Sequence, residues 1–278
     1  MTLLDLQASE VCTLRALGRA KGTVYLADLA FRRLLAALGG DVDVCDVTSA
    51  IAAEHVRDLW IGRAPRSVRR EVCCLRSAWS RADLVPNPWR ALSRIRVDPV
   101  ELRILSADEE RALRSGADSE LGLWLSVALE TGARPGEICA LRSRDVLRDR
   151  SAVLVESRAG ARTKTRSARM CSVSADTLAR LVVLGLRGGG LWGEGSARCV
   201  LARFRGRLDS LCGRVSIARV LPQDLRRTVA TRLALAGVNA GIAARVLGHS
   251  DVATTLRFYT RVQDADARAA VALTWVAG

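Results

Sequence analysis

The sequence predicts a mainly α-helical protein with a small antiparallel β-sheet, divided into two domains. Three observations point there. Apolar residues recur at three-and-four spacing through most of the chain, the period of a helix buried on one face. Two short β-type runs, "SAVLVES" (Ser151–Ser157) and "ARMCSVS" (Ala168–Ser174), flank the basic loop "RAGARTKTRS" and read as a hairpin. Between them and the N-terminus, "LVPNPWRALSRIRVDPVELRIL" (Leu84–Leu105) interrupts the helices with Pro86, Pro88 and Pro99, which disfavour helix at and before each ring.

Taken in order, residues from about Gln7 to Arg81 are helical. "GTVYLADLAFRRLLAAL" (Gly22–Leu38) stops at Gly39-Gly40. "VTSAIAAEHVRDLWIG" (Val47–Gly62) opens on a Thr48 or Ser49 cap and ends at a glycine. "APRSVRREVCCLRSAWSRADL" follows, with Pro65 suited to a first helical position. One face of this helix carries Val68, Val72, Leu75 and Trp79. Another carries Arg63, Arg66, Arg69, Arg70, Arg76 and Arg81 against Glu71 alone, a pattern suited either to a solvated face or to phosphate contacts.

After the proline-rich segment, "SADE" (Ser106–Glu109) is a capping box opening a helix over Ala107 to about Gly116. Helices are expected next at Leu121 to about Glu130 and Pro135 to about Leu141, then the hairpin. Helices resume near Ala175, break at "RGGGLWGEGS" and continue to the C-terminus. The expected boundaries are a helical domain over 1–88, a linker over 89–104 and a larger domain over 105–278 that ends in a tail helix.

The charge narrows the function. Lys and Arg total 43 against 29 Asp and Glu, a net charge of +14, with a pI near 10.7. A folded chain this basic faces a polyanion, and nucleic acid is the first candidate. The eight cysteines form no CxxC pair, and no histidines lie at ligand spacing, so no metal site is expected. The N-terminus "MTLLDLQASE" is not a signal peptide, and apolar stretches such as "LGLWLSVAL" (Leu121–Leu129) fall far short of a membrane span. These features predict a cytosolic protein with reduced cysteines and no membrane partner.

Four pieces of the second domain carry chemistry. In "TGARPGEICAL" (Thr131–Leu141), Gly132 and Pro135 bracket Arg134 at a helix start, where free backbone N–H groups favour an anion. Lys164, at the hairpin tip, is the domain's only lysine in an arginine-rich chain; lysine can give up a proton where arginine cannot. "LPQDLRRTVATRLALAG" (Leu221–Gly237) sets Gln223 and Arg226 one turn apart. "LGHSDVATTLRFYTR" (Leu247–Arg261) holds one of two histidines, His249, and one of two tyrosines, Tyr259. Singly, each is an ordinary surface or core residue. Together, two arginines, a lysine and a histidine supply the donors and positive charge that a pentavalent phosphate transition state needs, and a tyrosine hydroxyl is a nucleophile once its proton can leave.

These motifs resemble those of the tyrosine recombinases of the phage-integrase type, over essentially the whole chain. "TGARPGEICAL" resembles that family's first arginine box, "TKTRSARMCSVS" its hairpin-lysine segment, and "DLRRTVATRLALAG" with "VLGHSDVATTLRFYTRV" its second arginine and nucleophile boxes. The N-terminal helices and "VPNPW" resemble a helical, SAM-like core-binding domain and its exit; "RILSADEERAL" resembles the entry to a DNA breaking-rejoining catalytic domain. The resemblance implies that Tyr259 attacks the scissile phosphate to form a 3′-phosphotyrosyl link, that Arg134 and Arg226 hold its non-bridging oxygens, that Lys164 protonates the leaving 5′ oxygen and that His249 donates a hydrogen bond. Because the covalent link conserves the phosphodiester energy, neither ATP nor a metal cofactor is implied. Gln223 departs from the pattern, since the family usually has histidine there and glutamine takes no proton at neutral pH.

Candidate DNA contacts are Arg66, Arg69, Arg70 and Arg76 in the first domain, Arg162 and Arg166 beside Lys164, and Arg227 beside Arg226. The tail "DADARAAVALTWVAG" (Asp264–Gly278) carries Val271, Leu273, Trp275 and Val276, which suit either its own domain or a neighbouring subunit; the resemblance implies tail exchange within a homotetramer on double-stranded DNA sites. The expected function is integration or excision of a phage or other mobile element. Two other readings share these residues: a DNA-binding protein on the same scaffold with weakened catalysis, and a topoisomerase or hairpin resolvase with the same chemistry.

Overall fold

The computed structural model describes residues 1–92, 95–97, 103–156, 168–186, 188–249, 251–256 and 258–260. The chain divides into two compact units, Met1–Val100 and Glu101–Gly278.

Among the described residues the first unit holds four α-helices: α1 (Leu3–Ala16), α2 (Lys21–Leu38), α3 (Ser49–Trp60) and α4 (Pro65–Arg81). α1 begins earlier than the apolar pattern suggested, because Thr2 and Asp5 form a capping box. α2 ends at Gly39, which is left-handed at φ 76°. Thr48, not Ser49, caps α3, accepting from the Ile51 N–H. Pro65 starts α4, whose buried face holds Val68, Val72, Leu75, Ala78 and Trp79. Two buried carboxylates hold arginines in this unit: Glu10 pairs with Arg81 of α4, and Glu71 of α4 pairs with Arg33 of α2 at 2.7 Å and with Arg63 at 3.1 Å. The core of this unit extends past residue 88. Trp89 is fully buried, edge-on to Trp79 and His55, and Leu92 and Ile95 pack against the same cluster. The segment expected to be linker from residue 89 therefore starts as core, because a tryptophan indole buries too much apolar area to be left in solvent.

The second unit wraps a central helix, α6 (Ser119–Thr131), in which every residue from Leu123 to Leu129 is buried. A helix apolar on all sides is one that neighbours surround. Those neighbours include α5 (Ala107–Gly116), α8 (Ala175–Gly185), α9 (Ala197–Arg214) and α10 (Pro222–Leu235). α5 opens on the expected Ser106–Glu109 capping box. After α6 come the one-turn helix α7 (Pro135–Cys139) and a three-stranded antiparallel sheet: β1 (Val146–Leu147), β2 (Ala152–Val155) and β3 (Arg169–Ser172), in the order β1-β2-β3. β2 and β3 are the two strands read from the sequence, in the register Val153↔Cys171 and Val155↔Arg169. β1 has only two residues, too few for alternation to reveal. Glu130 at the end of α6 accepts from the Ser174 N–H and from the Ser174 and Thr177 hydroxyls, at 2.7–3.0 Å, and so fixes the start of α8. Within the glycine-rich break, Trp192 is buried edge-on to Phe204, and its indole N–H donates to the Ile138 carbonyl at 2.7 Å.

The chain then forms α11 (Ala240–Leu247), capped by Asn239 and ended by left-handed Gly248, and helical residues 252–256 and 258–260. The tail helix expected beyond Tyr259 lies outside the described residues. Among the described residues, no helix is long and apolar enough to cross a membrane.

Candidate active site

The site forms where α6, α7, β3, α10 and α11 end near one another. Gly132 ends α6 in the left-handed conformation at φ 58°, and a Cβ on it would lie 2.8 Å from Leu247 Cδ2 and 2.9 Å from Val229 Cγ1. Only glycine combines that backbone with that close approach. The turn sets Arg134 in extended backbone as the residue before α7. Its guanidinium is then held at two points, Nη1 donating to Glu137 Oε1 and Nη2 to the Gly248 carbonyl, both at 2.9 Å. Its backbone N–H donates to Glu137 Oε2 at 3.0 Å, so this amide is capped by a carboxylate rather than offered to an anion as the sequence suggested.

Arg226 approaches from α10. It is 4% exposed, and its Nη1 donates to the carbonyls of Gly132 at 2.9 Å and Leu247 at 2.7 Å. Its Nη2 is buried and has no hydrogen-bond partner among the described residues. Burial, and then the like charges of Arg134 and Arg169, push the Arg226 pKa down to about 10, which still leaves it cationic at neutral pH. A charged donor in this state stands to gain a hydrogen bond from an oxyanion.

Arg169, at the start of β3, completes the cluster. Its Nη2 donates to Glu137 Oε2 at 2.6 Å and its Nε to the Val246 carbonyl at 3.2 Å. Glu137 thus bridges two guanidiniums. Burial is the largest influence on its acidity and acts to raise the pKa, yet the Arg169 hydrogen bond and charge, with Arg134 behind them, hold it below the usual glutamate range. One carboxylate among three arginines leaves the cluster net positive.

His249 follows Gly248 directly. Its Nδ1 lies 2.7 Å from the Thr255 hydroxyl, one turn before Tyr259. Burial first, then Arg226, Arg134 and Arg169, lower its pKa to about 4, so the ring is neutral at physiological pH.

The remaining expected site residues are placed differently. Gln223 is exposed in the first turn of α10, and its side chain makes no hydrogen bond among the described residues. Tyr259 is half-buried, and its hydroxyl donates to the Val238 carbonyl in the α10–α11 turn, with no hydrogen bond to the arginines or His249 among the described residues. Desolvation raises its pKa above the ordinary tyrosine value. Lys164, Arg162 and Arg166 lie outside the described residues. Arg66, Arg69 and Arg70 are exposed on α4 and form no ion pair among the described residues, whereas Arg76 is half-buried. Arg227 pairs with the buried Asp224 at 2.6 Å, so its charge is partly spent within α10.

Sequence reasoning passed over Glu137 and Arg169. Glu137 had a signal, being an acidic residue three positions into a helix that Arg134 precedes, the place of a capping carboxylate. Arg169 had none, because its partners are 32 and 77 positions away.

Comparison with known proteins gives a consistent picture. The model of the phage integrase family matches residues 100–266. The tyrosine recombinase XerC of Xanthomonas campestris pv. campestris (strain B100) is 30% identical over 268 residues, covering 84% of this chain and 77% of its own. XerC of Xanthomonas axonopodis pv. citri is 29% identical over 244 residues, with coverage of 79% and 74%. Among solved structures, the Tn1549 transposon integrase in complex with a circular intermediate DNA superposes with a TM-score of 0.76 at 20% identity, over 93% of this chain and 95% of that one. A lambda integrase tetramer bound to a Holliday junction superposes with a TM-score of 0.72 at 19% identity, over 93% and 77%. At these identities the structural likeness speaks to the fold.

Proposed function

The chain belongs to the phage integrase family of tyrosine recombinases, and from that premise we propose that it cleaves and rejoins double-stranded DNA at specific sites through Tyr259. The observation that carries this reading is the convergence of Arg134 and Arg226 on the carbonyls of residues 247 and 248, directly before His249.

In the proposed reaction the scissile phosphate sits against that cluster. Arg134 and Arg226 hold its non-bridging oxygens, Arg226 through the Nη2 that has no partner among the described residues. His249, neutral in the free protein, donates one ring N–H. The Tyr259 oxygen leaves the Val238 carbonyl, gives its proton to water and attacks phosphorus; the P–O5′ bond breaks, Lys164 protonates the departing 5′ oxygen, and a 3′-phosphotyrosyl ester remains. A 5′ hydroxyl from a second strand then attacks that ester, displacing Tyr259 and restoring a phosphodiester. Each step exchanges one P–O bond for another, so no external energy source enters. Preorganised cations account for much of the rate, since they need no rearrangement as charge develops on the phosphate.

The exposed Arg66, Arg69 and Arg70 of α4 and the overall charge of +14 suit sequence-independent contacts to the backbone. We assign the enzyme to integration or excision of a mobile element, acting as a homotetramer whose C-terminal tails are exchanged. Transposon and lambda integrases share its fold.

Covalent trapping tests the reading. The protein is incubated with nicked duplexes of randomised sequence, and denaturation-resistant adducts are recovered, with Tyr259→Phe alongside. Adducts confined to the parent establish the nucleophile and deliver the target. Salt-sensitive binding with no adduct would favour a binding protein on this scaffold, a reading to which Gln223 lends some support. Product analysis separates recombination (exchanged ends) from topoisomerase activity (relaxed circles) and hairpin resolution.

A further inference from the structure

The geometry points to Arg169 as a positioning residue for DNA cleavage, one that sets the separation of Arg134 and Arg226 and ties them to the β2–β3 pair without itself touching the phosphate. The inference rests on the recombinase reading above.

Three contacts carry it. Through Nη2, Arg169 holds the Glu137 carboxylate, whose other oxygen holds Arg134. Through Nε, it holds the Val246 carbonyl in the last turn of α11. That turn continues into the Leu247 carbonyl that receives Arg226 and the Gly248 carbonyl that receives Arg134. The guanidinium also lies flat on Gly248: a Cβ there would come 2.5 Å from Nη1 and 2.7 Å from Cζ. One planar group therefore fixes both the carboxylate behind the first arginine and the backbone that anchors both arginines.

Its position in the chain adds a third connection. Arg169 begins β3, the strand entered directly from the segment that carries Lys164. Val155, its partner across the β2–β3 pair, is the last residue of β2 on the other side of that segment. The hairpin base is thus bolted to the arginine cluster by the same side chain.

Arg169 does not serve as a phosphate ligand in this arrangement. Its side chain is 9% exposed, and Nη1, the nitrogen without a partner among the described residues, is itself buried. Nor does a simple ion pair describe it. An isolated Arg–Glu bridge would place one cation on Glu137, whereas here two arginines share the carboxylate and a third lies close by. Such an arrangement costs repulsion that a positioning role accounts for, since a phosphate binding between Arg134 and Arg226 relieves it.

The test is single-turnover adduct formation at saturating DNA, with rate constant and end-point amplitude measured separately. Binding is measured in the Tyr259→Phe background. For Arg169→Gln the rate constant is expected to fall roughly 10- to 100-fold, the scale of a displacement of about 1 Å at reacting groups. The amplitude and DNA affinity should stay within about twofold of the parent. A role confined to stability would instead lower the amplitude at an unchanged rate constant, and that result overturns the inference. Arg169→Lys keeps the charge but lacks the planar fork, so an intermediate rate is expected; it decides the matter if the glutamine variant does not fold, a parental rate overturning the proposal and a slowed one supporting it. If the parent forms no Tyr259-dependent adduct, the recombinase reading fails first. If the parent reacts and both variants match it, this inference alone fails.

Discussion

The Tyr259 hydroxyl donates to the Val238 carbonyl, in the turn between α10 and α11. The side chain with nucleophilic chemistry is therefore satisfied by backbone, while Arg226 keeps a nitrogen with no partner among the described residues. In the proposed reaction, cleavage exchanges the first bond for a contact with phosphate. The bond contributes about 1 kcal/mol, as neutral hydrogen bonds do. Tyr259→Phe should accordingly lower unfolding free energy by roughly that amount while abolishing adduct formation. Urea denaturation beside the trapping assay checks both. A loss of several kcal/mol would mean that the tyrosine has a larger structural role than this single bond.

Arg226 supports a second expectation. One of its nitrogens serves two carbonyls, of Gly132 and Leu247, while another has no partner among the described residues. Lysine cannot reproduce this, since a single ammonium at the end of a flexible stem replaces a planar fork. Arg226→Lys should retain the fold, because the charge is kept and one carbonyl can still be reached. It should lower the cleavage rate by about 10²- to 10³-fold, the usual effect of losing one preorganised donor to a transition-state oxyanion. Circular dichroism and single-turnover kinetics measure the two halves. A rate within tenfold of the parent would show that the fork is dispensable.

His249 gives a pH dependence with a definite sign. Burial and the neighbouring arginines lower its pKa to about 4, against an ordinary value of 6.5. Between these values the unfolded chain carries a proton there and the folded one does not. The stability associated with neutral His249 is thus fully present above about pH 6.5 and is lost as pH falls toward 4. Bound phosphate brings negative charge to the same ring and must raise the pKa. Because the chain has only two histidines, NMR titration with and without a duplex can follow this one directly, and DNA should move the midpoint upward. An unchanged midpoint in the complex would place the phosphate away from His249.

The local features of this protein were legible in its sequence, and the long-range ones were legible only in part. The Ser106–Glu109 capping box, the Pro65 helix start and the Gly39 stop each depend on neighbours within a few positions, and each took its expected place. Arg134, Arg226 and His249 were found through spaced motifs and meet in the fold. What joins them was not visible: Arg169 to Glu137, Arg134 to Gly248 and Arg226 to Gly132 span 32, 114 and 94 positions. Nothing local distinguishes an arginine that will be buried against such partners from one left in solvent. The reverse error concerns Arg63 and Arg81, which read as part of a basic face but are claimed by Glu71 and Glu10 from within the domain.

Gln223 yields the last prediction. It stands one turn before Arg226 on α10, exposed and without a side-chain hydrogen bond among the described residues. The Tyr259 pKa is raised by desolvation, so the phenol is protonated at neutral pH and must lose its proton as it attacks. Glutamine can orient that proton but cannot take it. Histidine at this position can, and general-base assistance is worth roughly 10² to 10⁴ in rate. The gain from Gln223→His should fall at or below the lower end, because neighbouring cations would depress an introduced imidazole as they depress His249 and would favour the tyrosinate in their own right. The exposed site predicts a stability change within about 0.5 kcal/mol. Single-turnover cleavage from pH 6 to 9 measures the effect, and the acceleration should be largest where the new imidazole is neutral and the phenol is not yet ionised. A parental rate at every pH would mean that water or the arginine cluster already accounts for loss of the tyrosine proton, and that glutamine at 223 limits nothing.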